Sequence, residues 1–244
     1  MSETVEILGV RFDKVTLEEA ANKALEFAKD KEQHYICTPN PEIVLEAQKN
    51  EEFSKILNGS AMNIPDGIGI IWAAKYLKKG SLQRVTGVDL MEKICEKAAK
   101  KNLKIFLLGA EEGIAEKVKT ILENKYAGLK ITGVYSGSPE EKEKNLIIKK
   151  INDSGAEILF VAFGAPKQEI WISKNLKNLN NVKLSMGVGG SFDFIACVRK
   201  RAPKWMQKIG LEWVYRLIQQ PSRSKRIYNA TIKFPITVLK KNLK

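Results

Sequence analysis

The amino-acid sequence predicts an α/β fold: a mostly parallel sheet with helices on both faces, followed by a basic helical appendage at the C-terminus. Between residues 34 and 188, short apolar segments alternate with longer amphipathic ones, as strands and helices do in a parallel sheet. Turns rich in glycine and proline follow the apolar segments. Near residue 199 the composition becomes strongly basic. The alternating part is typical of Rossmann-like folds.

The elements before residue 78 carry distinct local signals. Residues 5–12 alternate between apolar and polar side chains, which predicts a strand or one arm of a hairpin. Thr16 and Glu19 form a capping box at the start of a helix that extends through Ala28. The next predicted elements are a strand over 34–37, helices over 42–49 and 51–57, a strand that ends before Asp66, and a helix over 68–77.

The alternation becomes regular in the middle of the chain. A polar loop over residues 83–86 precedes these elements. The predicted helices cover 88–100, 139–152 and 166–176, with a turn and helix over 109–124, and the predicted strands cover 103–108, 129–135, 158–163 and 182–188.

Composition limits the class of protein. The 244 residues suffice for one large α/β domain with an appendage. The net charge is +13, so the expected partner is negatively charged: a phosphate-bearing ligand, a nucleic acid or an anionic membrane. Three cysteines without paired spacing predict reduced thiols, and a single histidine argues against a zinc site. Neither a signal peptide nor a membrane-spanning segment is expected.

The sequence divides into a predicted catalytic core, residues 1–195, and a predicted helical appendage, residues 196–244. From Arg199 onwards there are thirteen Lys and Arg residues and a single acidic residue, Glu212. Apolar residues recur at helical spacing over 205–217, which predicts one continuous helix. Its apolar stripe is expected to cover the core, a partner subunit or a membrane surface. An ordinary packing helix with a solvated basic face is the alternative.

Polar or glycine-rich turns follow five of the predicted strands or their loops. Because the carboxyl ends of parallel strands meet at one edge of a sheet, these turns are expected to form a ligand site there. A helix that starts near Gly113 would offer its positive end to a pyrophosphate. Each turn also has an ordinary explanation; for example, Asp66 or Asn40 would simply cap a helix. The turns are residues 38–40, 65–67, 109–113, 163–169 and 187–193.

Two other classes of protein are open at this point. An NAD-dependent oxidoreductase is an alternative on fold alone, but residues 109–113 lack the GxGxxG spacing, and the strand over 129–135 does not end in an acidic residue for the ribose. A nucleic-acid-binding module is an alternative on charge, but it does not need glycine turns at strand ends. There is no Walker lysine motif and no DxD pair, so a bound sugar nucleotide would have to be neutralised by arginines, lysines and helix ends.

Several motifs, taken together, resemble those of the WecG/TagA/CpsF glycosyltransferase family. The Pro-Lys-Gln-Glu and Gly-Gly-Ser-Phe-Asp blocks are specific, and the resemblance spans nearly the whole chain. One departure is Ala196-Cys197-Val198, where a glycine is expected in the turn. The matching segments are 38–40, 65–67, 84–87, 163–169, 187–193, 201–203 and 211–213.

The resemblance implies a metal-independent, inverting enzyme without a cofactor. It implies transfer of N-acetylmannosamine from its UDP sugar to the 4-hydroxyl of GlcNAc on undecaprenyl diphosphate, a step of wall teichoic acid linkage-unit synthesis. Other members of the family transfer N-acetylmannosaminuronic acid or glucose, so the donor sugar stays open. A cytoplasmic enzyme on the inner face of the cell membrane is implied, with no nucleic-acid partner, and a homo-oligomer is left open.

The resemblance also assigns roles to residues. Asp66 matches the proposed catalytic base, and Arg216, Arg223 and Arg226 match appendage arginines that close over the site and meet the diphosphate. Thr38, Asn40, Arg84 and Gln168 match substrate ligands. Gly109 and Gly113 are predicted to frame the pyrophosphate, and Gly187, Gly189 and Gly190 to line the uridine or sugar side.

Overall fold

The computed structural model describes residues 3–242, and in that range the strands form a six-stranded sheet and a separate two-stranded hairpin. The strands are β1 (Thr4–Ile7), β2 (Val10–Asp13), β3 (His34–Cys37), β4 (Met62–Asn63), β5 (Lys104–Gly109), β6 (Lys130–Tyr135), β7 (Ile158–Ala162) and β8 (Leu184–Gly187). The six-stranded sheet has the order β4-β3-β8-β7-β5-β6, and every neighbouring pair is parallel. The predicted fold class is confirmed.

Helices cover both faces of this sheet. They are α1 (Leu17–Phe27), α2 (Pro41–Ala47), α3 (Glu51–Asn58), α4 (Ile68–Tyr76), α5 (Gly87–Lys100), α6 (Ile114–Lys125), α7 (Lys144–Ser154), α8 (Lys167–Asn175), α9 (Ser191–Ile195), α10 (Lys204–Lys208), α11 (Glu212–Gln219), α12 (Ser224–Tyr228) and α13 (Phe234–Asn242). Short 3-10 or π turns lie at Glu141–Glu143, Leu176–Asn178, Pro221–Arg223 and Asn229–Lys233.

The central strands β5 and β7 are apolar from Ile105 to Leu108 and from Ile158 to Ala162, because both of their faces are buried. In β5, Ile105 and Leu107 pack into the core that contains α1, α5 and α6. The alternate residues Phe106 and Leu108 pack into the opposite core, with α7 and α8. The sheet is thus packed against helices on both faces, and loops follow the strands at its carboxyl edge.

Two local predictions differ from the structure. The predicted helix over 139–152 is divided into a 3-10 turn at Glu141–Glu143 and α7. The single helix predicted over 205–217 is interrupted at Gly210, which has φ +78° and separates α10 from α11. A side chain on Gly210 would come within 2.9 Å of Ile68, so the break also allows close approach to α4.

The C-terminal helix α13 is anchored in the body of the protein. Phe234 and Val238 are fully buried in a hydrophobic cluster with Val44 of α2 and with Ile70 and Ala73 of α4. Burial of two such side chains stabilises this contact by about 3–6 kcal/mol. The division at residue 195 stays a prediction, but the end of the chain shares its core with the preceding part. No helix within residues 3–242 is long and apolar enough to cross a bilayer.

Candidate active site

A cavity of about 300 Å³ opens at the carboxyl ends of four neighbouring strands, β4, β3, β8 and β7. Helices α11 and α12 lie on its other side and contribute residues to its wall. Most of the residues singled out from the sequence line it: Thr38, Asn40, Asp66, Arg84, Gln168, Gly189, Gly190, Arg216, Arg223 and Arg226. Side chains that are up to 188 residues apart in the chain therefore share one chamber.

The other three glycines do not line this cavity. Gly109 ends β5 and Gly113 follows it, and β5 lies beyond β7, on the far side from β3 and β8. Gly109 has φ +94°, and a side chain there would come within 2.8 Å of Phe163, which explains the glycine by close packing. At Gly187, a side chain would come within 2.6 Å of the Gln168 amide. The assignment of Gly109, Gly113 and Gly187 to substrate binding stays a prediction.

Asp66 lies on the turn between β4 and α4, at the floor of the cavity. Its backbone N–H donates to the Pro39 carbonyl at 3.3 Å, and the Gly87 N–H donates to its Oδ2 at 3.4 Å. Burial raises the pKa of Asp66 to about 6, against opposing effects of Arg84, the Gly87 N–H and Arg216. A carboxyl group with this pKa is ionised at neutral pH and is basic enough to accept a proton.

The arginines around Asp66 have other partners. Arg84 Nη2 lies 2.6 Å from Glu212 Oε2, and Arg201 Nη1 lies 2.5 Å from Asp89 Oδ1. The guanidinium of Arg216 lies over the ring of Phe194, 5.2 Å from its centre. Within residues 3–242, no lysine or arginine forms an ion pair with Asp66. The carboxylate is therefore left available for a substrate.

Thr38 and Asn40 follow β3 and line the cavity beside Asp66. Asn40 is the N-cap of α2: its Oδ1 accepts hydrogen bonds from the N–H groups of Glu42 and Ile43, each at 3.0 Å. The side-chain oxygen is thus occupied by the cap, and the amide nitrogen is the group that Asn40 can present to a ligand. Thr38 is 8% exposed, so its hydroxyl is held within the wall.

Gln168 has a structural role that the sequence did not indicate. Its Oε1 accepts hydrogen bonds from the N–H groups of Gly164 and Gly189, both at 3.0 Å, and its Nε2 donates to Glu169 Oε1 at 2.8 Å. One amide therefore joins the loops that follow β7 and β8. Glu169 is buried, its Oε2 has no hydrogen-bond partner within the described chain, and burial raises its pKa to about 7.

Three arginines of the C-terminal helices form the positive side of the cavity. Burial, together with the neighbouring charges of Arg216 and Arg226, lowers the pKa of Arg223 to about 10. Arg226 also pairs with Glu42, with 2.8 Å between Nη2 and Oε2. Crowded, partly desolvated guanidinium groups gain when an anion enters, so this wall suits a diphosphate.

Two acidic residues in the cavity wall were not singled out as site residues. Glu212 pairs with Arg84, and Glu42 pairs with Arg226. The signal that could have found Glu212 is its position as the single acid in a strongly basic segment. Glu42 had no such signal, because an acidic residue in the first turn of a helix is common. In the part of the chain that the structure describes, no group of three or more His, Cys, Asp or Glu side chains could hold a metal ion.

The fold and the cavity define a class: an α/β protein with an arginine-lined cavity at the carboxyl edge of a parallel sheet, next to a partly buried carboxylate of raised pKa. The model of the glycosyl transferase WecG/TagA/CpsF family matches residues 5–244, and the chain belongs to this family. The resemblance seen in the sequence motifs is confirmed.

Two curated relatives carry the same name, N-acetylglucosaminyldiphosphoundecaprenol N-acetyl-beta-D-mannosaminyltransferase. The protein from Bacillus subtilis (strain 168) is 36% identical over 217 residues, which covers 86% of this chain and 83% of the relative. The protein from Bacillus spizizenii is 32% identical over 206 residues, which covers 84% of this chain and 79% of the relative. Both relatives are N-acetylmannosaminyltransferases, which is a glycosyltransferase activity.

Proposed function

We propose that this protein transfers N-acetylmannosamine from UDP-N-acetylmannosamine to the 4-hydroxyl of GlcNAc on undecaprenyl diphosphate, with inversion at the anomeric carbon to give a β-1,4 linkage. The names of the two relatives support the sugar and the lipid-linked acceptor. The cavity supports a nucleoside-diphosphate donor, because its positive wall suits a diphosphate. The product would be the linkage unit of wall teichoic acid.

The observation that carries the proposal is the arrangement of charge in one chamber. Asp66, a partly buried carboxylate without an ion-pair partner among residues 3–242, lines the same cavity as Arg216, Arg223 and Arg226. A glycosyl transfer needs these two functions at the same time: a base for the hydroxyl that attacks, and positive charge for the diphosphate that leaves.

The proposed step transfers the sugar directly from UDP to the acceptor hydroxyl. The acceptor oxygen forms a bond with the anomeric carbon, while the bond between that carbon and the UDP oxygen breaks. The proton of the acceptor hydroxyl passes to Asp66, and the electron pair leaves with UDP. Arg216, Arg223 and Arg226 stabilise the developing negative charge, the task that a divalent cation performs in many other transferases. A positioned base contributes about 10²–10⁴-fold to the rate.

We further propose that the enzyme acts on the cytoplasmic membrane surface, where a lipid-linked acceptor lies. The exposed side chains Trp205, Ile209, Ile218 and Tyr228 are 56–74% accessible, and basic residues such as Lys204 and Lys208 lie among them in the chain. Aromatic side chains suit the interface of a bilayer, and each Lys or Arg near an anionic surface contributes about 1 kcal/mol.

The test is a transfer assay with radiolabelled donors and a lipid-diphosphate GlcNAc acceptor. We expect product from UDP-N-acetylmannosamine, with and without EDTA, and a loss of about 10²–10⁴-fold in kcat for Asp66→Asn. Product from UDP-glucose or from the uronic acid donor alone would change the assigned substrate. Near-normal turnover by Asp66→Asn, with unchanged folding by circular dichroism, would show that Asp66 is not the base.

A further inference from the structure

Glu212 lies where the C-terminal segment, residues 196–242, meets the rest of the protein. It begins α11, and its Oε2 lies 2.6 Å from Arg84 Nη2, with both side chains only 21% exposed. The carbonyl of Gln207 accepts a second hydrogen bond, from Arg84 Nη1, at 3.1 Å. The guanidinium of Arg84 is therefore held at two points by the C-terminal segment.

A second arginine near Glu212, Arg201, is held in a similar way. Arg201 donates from Nη1 and Nη2 to the two oxygens of Asp89, at 2.5 and 3.3 Å. Its Nε lies 3.9 Å from Glu212 Oε1. Thr86 donates its hydroxyl to Asp89 as well, at 2.5 Å. Each of the two guanidinium groups thus has a carboxylate partner of its own.

Few charged groups influence the ionisation of Asp66. Arg84 and Arg216 favour its ionised form, Glu212 opposes it, and Arg201 also interacts with it electrostatically. None of these arginines is paired with Asp66 in the described part of the chain. Among these charges Arg84 has the largest effect on Asp66, yet its guanidinium is bonded to Glu212 and to the Gln207 carbonyl. Glu212 is thus the carboxylate that competes with Asp66 for Arg84.

We propose that Glu212 is a positioning residue for the reaction: by holding Arg84 on the C-terminal segment, it prevents Arg84 from pairing with Asp66 and leaves that carboxylate able to accept the proton of the acceptor hydroxyl. This inference rests on the proposed function. A carboxylate that is paired with a guanidinium has a lowered pKa and is a weaker base. Because Glu212 belongs to the C-terminal segment, Asp66 becomes a strong base only when that segment is docked on the site.

The experiment measures the pKa of Asp66 directly, by NMR titration of protein labelled with ¹³C at the aspartate carboxyl carbons, with Asp66→Asn identifying the signal. We expect Glu212→Gln to lower the pKa of Asp66 by about one unit, because the opposing charge of Glu212 is removed and because Arg84 is freed to pair with Asp66; an Arg84→Gln background separates the two effects. The acid limb of kcat/KM should move to lower pH by the same amount, and kcat should fall. An unchanged Asp66 titration in Glu212→Gln would overturn the proposal.

Two comparisons separate positioning from simple loosening of the C-terminal segment. Glu42→Gln removes the other ion pair with this segment, at Arg226, but Glu42 is not among the charges that act on Asp66. Hydrogen exchange of α11 measures the loosening in both variants. The proposal is wrong if Glu42→Gln lowers the pKa of Asp66 as much as Glu212→Gln does while hydrogen exchange of α11 is equally fast in both variants.

A double-mutant cycle tests the route through Arg84. In an Arg84→Gln background, Glu212→Gln should lower the pKa of Asp66 by clearly less than in the wild type, whereas equal decreases would refute a role through Arg84. Glu212→Asp, which keeps the charge, should restore most of the wild-type titration. The NMR result does not depend on turnover. A wild-type protein that titrates as expected but transfers no sugar would therefore contradict the proposed function and leave the contact between Glu212 and Arg84 supported.

Discussion

Asp66→Asn should make the protein more stable above pH 6 while it removes the catalytic base. In the folded protein, burial raises the pKa of Asp66 from the ordinary 3.8 to about 6. Between these two values the unfolded chain has already lost the proton that the folded chain retains. The wild-type free energy of unfolding therefore falls as pH rises through this window. That of Asp66→Asn does not fall for this reason, because asparagine carries no charge.

The size of the effect follows from the two pKa values. A shift from 3.8 to about 6 is about 2 units, which corresponds to about 3 kcal/mol at 1.36 kcal/mol per unit. Because the side chain keeps some contact with solvent through the cavity, we expect between about 1 and 3 kcal/mol at pH 8. At pH 5 about half of that difference remains, and it vanishes below about pH 3.

Urea unfolding followed by circular dichroism at pH 5, 6, 7 and 8 measures this difference. Asp153→Asn serves as a matched control, because Asp153 is exposed on α7 in an ion pair with Lys149 at 2.5 Å. That surface substitution should change stability by no more than about 0.5 kcal/mol at each pH. The prediction is refuted if Asp66→Asn and the wild type are equally stable, or if the difference in their stability does not grow between pH 5 and pH 8. Either result would mean that folding does not raise the pKa of Asp66.

Two further predictions concern the loops and the membrane. Glu169→Ala should lower kcat/KM by about tenfold, because the Gln168 amide loses its acceptor and holds the loops at Gly164 and Gly189 less firmly. Glu169→Gln retains an acceptor oxygen and should stay within about threefold of wild type. Equal losses of kcat/KM in both variants would contradict this role. The protein should sediment with vesicles that contain anionic lipid and be released by salt; absence of binding at low salt would count against the membrane proposal.

The arrangement of elements was predictable because its signals are local. The strand His34–Cys37 and the capping box of α1 were located from residues that are adjacent or one turn apart. Continuous apolar runs such as Ile105–Leu108 indicated strands buried on both faces. Sequence motifs also indicated the family, which the family model confirms over residues 5–244.

Local signals failed where a distant contact decided the conformation. Helical spacing of apolar residues over 205–217 predicted one helix, but the close approach of Gly210 to Ile68 divides it. The glycine turn at Gly109 was indistinguishable in sequence from the other strand-end turns. Only the strand order, which places β5 beyond β7, shows that this turn lies away from the cavity.

The sequence by itself determined the α/β class, the order of the elements and which residues carry charge. Only the tertiary structure decided how those charges are paired, because each partner lies far away in the chain. Arg84 and Glu212 are 128 residues apart, and Arg226 and Glu42 are 184 apart. Electrostatic interaction depends on distance in space and on burial, neither of which sequence spacing encodes. The free, basic state of Asp66 is therefore a property of the folded protein.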